Sequence, residues 1–136
     1  MDDKNRITDD FITGLEPDEV FVFGSNLGGS HGGGAAAMAL MHFGAVWGQG
    51  VGMQGQSYAI PTMHGGVETI APYVDEFIEY AKAHPEKKFL VTEIGCGIAG
   101  FTPEEIAPLF KDSAVIDNIS LPSRFWEVLE LSNSPV

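Results

Sequence analysis

Three side chains in this sequence stand where their chemistry could be used. His31 lies between Ser30 and Gly32 in a glycine-rich stretch. An imidazole there can act as general acid or base, or hydrogen-bond a phosphate; as an ordinary loop histidine it would do neither. His64, beside Gly65-Gly66, is a candidate base or a surface residue. Cys96 is flanked by Gly95 and Gly97 ahead of a helix start, a setting that favours a thiolate. No base adjoins it in sequence, and a small packing residue is the competing reading. The four histidines lack metal-ligand spacing, and one cysteine rules out both a multi-cysteine zinc site and an internal disulfide. No metal site and no cofactor are expected.

The glycines are more telling than the titratable groups. The segment from Gly24 to Gly34 follows an apolar run and opens into Ala35-Ala36-Ala37, an excellent helix former. A second segment, Gly95-Cys96-Gly97-Ile98-Ala99-Gly100, follows Phe89–Ile94 and precedes Thr102-Pro103-Glu104-Glu105. That tetrapeptide combines a threonine cap, a proline at the first helical position and acids in the first turn. Both loops thus run from strand to helix, where open α/β sheets bind ligands. Glycine lets a phosphate approach the backbone, and unpaired N–H groups at a helix start attract anions. The candidate ligand residues are Gly24, Ser25, Asn26, Gly32, Gly33, Gly34 and Ala35 in the first loop. In the second they are Gly95, Cys96, Gly97, Ile98, Ala99, Gly100 and Phe101. Asn26 could instead only close a turn, and Phe101 could stack on a ligand or join the core. No Gly-Lys-Ser/Thr and no well-placed GxGxxG is present, which argues against an ATPase or a nicotinamide dehydrogenase.

The surrounding pattern predicts how these loops are held. Val20–Phe23, Ser57–Pro61 and Phe89–Ile94 read as strands, the first buried on both faces. Ile70, Tyr73, Val74, Phe77, Ile78 and Ala81 fall at helical spacing, with Pro72 tolerable in the first turn. Ile119–Leu121 suggests a last strand and Phe125–Leu131 a closing helix. Residues 1–16 read as a polar lead-in to one domain spanning 1–136. The alternation implies a three-layer α/β/α sandwich with a mainly parallel mixed sheet.

Composition narrows the class. With 44% hydrophobic and 19% charged residues, the chain can build a core. It has 7 basic and 19 acidic residues, a net charge of −12 that disfavours direct nucleic-acid binding. No apolar run approaches the roughly 20 residues of a membrane helix. The polar start Met1-Asp2-Asp3-Lys4 is unlike a signal peptide, so a cytoplasmic location is expected.

Phe23-Gly24-Ser25-Asn26 followed by His31-Gly32-Gly33-Gly34-Ala35-Ala36 resembles the first ligand loop of macro domains. Ile94-Gly95-Cys96-Gly97-Ile98 resembles their diphosphate-cradling loop, closest to the branch of terminal ADP-ribose–protein glycohydrolases. With Gly55–Thr62 and Gly100-Phe101, the motifs also resemble a short bacterial and phage macro-like family. The resemblance covers about residues 18–125 and implies binding of ADP-ribose or a related nucleotide, with Asn26 on a ribose hydroxyl. The partner would be a free nucleotide or an ADP-ribosylated macromolecule. The glycohydrolase branch carries a catalytic lysine where this chain reads Thr62-Met63-His64, and an aspartate where it has Ala99. The lysine-adduct route therefore has no carrier here. Two alternatives to a binding module are a hydrolase of an ADP-ribose derivative, with His31 or His64 as base, and an interaction subunit whose glycines only make turns.

Overall fold

Val20-Phe21-Val22-Phe23 is apolar at every position because both of its faces are covered. These residues form the middle of β2 (Glu19–Ser25). Val20 and Val22 join one core cluster, while Phe21 and Phe23 join another on the opposite side. β4 (Ser57–Pro61) does the same, with all five residues buried. Tyr58 and Ile60 face the larger cluster and Ala59 the smaller. In the computed structural model, which describes residues 6–132, these strands are the centre of a six-stranded sheet.

Its other strands are β1 (Ile7–Thr8), β3 (Gly52–Gln54), β5 (Lys88–Val91) and β6 (Ile119–Pro122), and the order is β1-β6-β5-β2-β4-β3. Every neighbouring pair is parallel except β3–β4, which is antiparallel. The sheet is therefore mixed and mainly parallel, with its antiparallel strand at one edge. β5 ends at Val91, earlier than the apolar run suggested. The Thr92 N–H and hydroxyl still donate to the Val22 carbonyl, at 3.1 and 2.7 Å, but the Ile94 N–H then donates to the Thr92 carbonyl at 2.7 Å and the chain turns out of the sheet.

Helix α2 (Val67–Ala83) buries Ile70, Val74, Phe77, Ile78 and Ala81, the stripe read from the spacing. It starts ahead of that stripe, so Pro72 lies in its second turn and removes one intrahelical bond. With α2 on the larger cluster's face sit α3 (Pro103–Ile106), a 3-10 segment (Ala107–Val115) and α4 (Ser123–Ser132), through Ile106, Phe110 and Phe125. Helix α1 (Gly34–His42) covers the opposite face through Ala36 and Ala39. The arrangement is compatible with a three-layer α/β/α sandwich. Among the described residues, no helix is long and apolar enough to cross a membrane.

The lead-in turns out to be part of the fold. β1 pairs with β6, and the buried Arg6 ahead of it fastens the sheet edge to the 3-10 segment. Its guanidinium donates to the carbonyls of Ser113 (2.8 Å), Ala114 (3.0 Å), Ile116 (2.7 Å) and Ile119 (3.0 Å). The Arg6 carbonyl accepts from the Trp126 indole at 2.8 Å. The guanidinium lies 5.2 Å from the centre of that ring, a cation–π distance.

Candidate functional site

The first glycine loop leaves β2 at Ser25 and returns at α1. Asn26 closes it from within: its amide oxygen accepts from the Ser30 N–H at 2.9 Å and its amide nitrogen donates to the Ser30 carbonyl at 3.1 Å. The chain of residues 44–55 supports the loop from behind. Backbones meet so closely there that a Cβ on Gly50 would lie 2.0 Å from the Asn26 carbonyl oxygen, so only glycine fits. His31 is part of this support. It is 1% exposed and rests edge-on against Phe23. Its Nε2 is 2.9 Å from the Gln49 carbonyl and 3.3 Å from Gln54 Oε1. Two acceptors around Nε2 call for a proton there, and Nδ1 is buried with no partner among the described residues.

The second loop leaves β5 and bends at Gly95, whose φ of +75° is one that L side chains rarely adopt. The Phe101 N–H donates to the Gly95 carbonyl at 2.8 Å and closes the loop. Phe101 packs against the larger core cluster. Helix α3 starts as its sequence signalled: Thr102 and Glu105 form a reciprocal capping box, with Pro103 at the first position. Ile98, 80% exposed, reaches across to the first loop, and its Cδ1 would lie 3.5 Å from a Cβ on Gly33.

Both loops line one cavity of about 380 Å³. The first contributes Gly24, Ser25, Asn26, Ser30 and Gly33, and the second Gly95, Cys96, Gly97, Ile98 and Ala99. The opening turn of α1 completes it with Gly34, Ala35 and Ala36, and no side chain caps that turn. Met63 and Thr62 form a further wall. Gly32, Gly100 and Phe101 are not among the lining residues, nor are His31 and the exposed His64, whose ring meets Tyr73 edge-on. A second cavity of about 750 Å³ adjoins the first and shares Gly34, Ala35, Thr92 and Glu93 with it. Its far wall is the segment from Thr8 to Thr13, with Met38, Pro122 and Arg124.

No protein-family model, curated protein or solved structure matches this chain.

The electrostatics of the two cavities therefore rest on the residues themselves. Glu93 is the one charged residue lining the first cavity among the described residues. Arg124 grips it as a fork: Nε donates to Oε2 at 2.8 Å and Nη2 to Oε1 at 2.5 Å. That hydrogen bond holds the Glu93 carboxyl below the usual carboxylate range, against a smaller opposing effect of burial. Cys96 behaves oppositely. Burial, and then the neighbouring Glu93 charge, push its thiol up to about 11. At neutral pH it is a thiol, not the thiolate that its helix-start setting suggested.

Sequence reasoning missed Asp9, Asp10, Phe11 and Ile12 as wall residues, together with Glu93 and Arg124. The segment of residues 9–12 has no periodicity to reveal that it would lie against α1. Glu93 and Arg124 are 31 residues apart and are joined only because β5 and β6 are neighbours.

Proposed function

We propose that this chain is a macro-domain-type binding module for ADP-ribose or a related phosphate-bearing nucleotide. One observation carries the reading: two glycine loops and an uncapped helix start line a single cavity beyond the ends of parallel strands. Unpaired N–H groups and the positive end of α1 favour an anion there, and glycine lets it come close. That local attraction answers how a protein of net charge −12 can hold an acidic ligand. The diphosphate would occupy the smaller cavity, and the nucleoside would extend into the larger.

The walls favour binding over hydrolysis. Met63 and Ala99 stand where the resembled glycohydrolases carry a lysine and an aspartate, and neither can act as nucleophile or base. His31 turns its Nε2 to the supporting chain and does not line the cavity.

The test is calorimetry with ADP-ribose on the parent, Gly97→Glu and Gly33→Glu. Space permits both substitutions. A Cβ on Gly97 meets nothing within 4 Å, one on Gly33 meets only Ile98 at 3.5 Å, and Gly33 has extended backbone. Each places a carboxylate where the phosphate would sit. Affinity should fall about ten- to a hundredfold while circular dichroism stays unchanged. Folded variants that bind as well as the parent would overturn the cradle.

A further inference from the structure

Glu93 is an obstacle to the function just proposed. It is the one charged residue, among those described, that lines the cavity that would hold a diphosphate. Among the described residues Arg124 is the only basic one lining either cavity, and its guanidinium is engaged by the Glu93 carboxylate through two parallel bonds. The pair sits at the seam, since Glu93 lines both cavities and Arg124 the larger. We propose that Arg124 is a positioning residue that makes the site accept anions, by neutralising Glu93 and turning its carboxylate away from the ligand.

The inference rests on the anion-binding reading above and adds the reason it can work. An unpaired carboxylate facing a diphosphate would repel it, and near a protein surface that repulsion is large enough to change affinity severalfold. The pairing is also local. Arg124 opens α4 directly after β6, and Glu93 follows β5, its parallel neighbour. Adjacent strand ends therefore deliver the two side chains to one point. The side chains are 57% and 32% exposed, so neutral replacements leave no buried charge behind.

The experiment compares four proteins: the parent, Arg124→Gln, Glu93→Gln and the double variant. Each is titrated with ADP-ribose, a diphosphate, and with adenosine, which is uncharged. Arg124→Gln should bind ADP-ribose about tenfold more weakly than the parent, and the loss should shrink in high salt. Glu93→Gln should bind it more tightly, because the guanidinium is then unopposed. The double variant should return close to the parent, a rescue that loss of a structural tether would not show. Adenosine affinity should be the same in all four. Cys96 gives a ligand-free readout in the same cavity. Its alkylation should shift to lower pH in Glu93→Gln and to higher pH in Arg124→Gln. Arg124→Gln binding ADP-ribose like the parent, adenosine affinity falling in step, or an unmoved Cys96 would each overturn the proposal. A parent that binds adenosine but not ADP-ribose overturns it too. A parent that binds neither overturns the nucleotide-binding reading as a whole.

Discussion

Cys96 and His31 carry the most reactive groups in the two loops, and their surroundings decide against using them. Cys96 lies in a cavity wall, yet burial and the Glu93 charge raise its thiol to about 11. Rates of iodoacetamide alkylation should rise with pH to a midpoint near 11 rather than 9; a midpoint below 9 would contradict this environment. The sign for stability follows. A folded-state value above the unfolded one favours folding while the thiol is protonated, so this contribution is complete below pH 9 and is lost as pH climbs through 11. The composition and spacing around both residues were legible in the sequence, but their orientation was not. His31 was readable as a loop histidine. That its ring turns inward depends on Gln49 and Gln54, 18 and 23 residues away, and nothing local marks them.

Among the elements, those that carry their own periodicity were readable. β2 announces itself as a continuous apolar run, β4 as a short strand ended by Pro61, α2 as a stripe, and α3 by its threonine cap, Pro103 and first-turn acids. β3 and β1 do not. β3 is Gly-Met-Gln, three residues with no strand composition, and it exists because the Gly55-Gln56 turn folds it onto β4. β1 is two residues long and is defined by its pairing with β6. The glycines beside these elements divide into two kinds that sequence cannot separate. Gly50→Ala would drive a Cβ to 2.0 Å from a carbonyl oxygen that belongs to the first loop's backbone. It should destabilise the protein by about 2–4 kcal/mol in urea denaturation. Gly97→Ala points into open space and should change stability by less than about 0.5 kcal/mol. Equal effects of the two would show that the loop crossing is not a packed contact.

At the scale of the whole molecule, the two faces of the sheet are covered unequally. The larger cluster has α2, α3, the 3-10 segment and α4, while α1 is the only helix on the other face among the described residues. Ile12 and Leu15 of the lead-in pack beside it, and residues 9–13 wall the larger cavity. That placement depends on Arg6, whose guanidinium satisfies four carbonyls at once. Arg6→Ala should cost about 3–5 kcal/mol, and Arg6→Lys should recover only part of it, because an ammonium cannot reproduce the fork. Full recovery by lysine would mean that charge alone matters. The bond between Arg6 and Trp126 spans 120 residues of chain. Contacts of such long range form late, since the intervening loop must close first. During synthesis at about 5–20 residues per second, Arg6 waits on the order of ten seconds before Trp126 exists. A nascent chain halted at residue 121 would already contain both glycine loops, yet it would have neither Pro122 nor Arg124 to wall the larger cavity and nothing to neutralise Glu93. If the cavity holds an anion as proposed, such a chain would hold it more weakly than one that extends through α4, so the affinity of the site would be set by the element made after both loops.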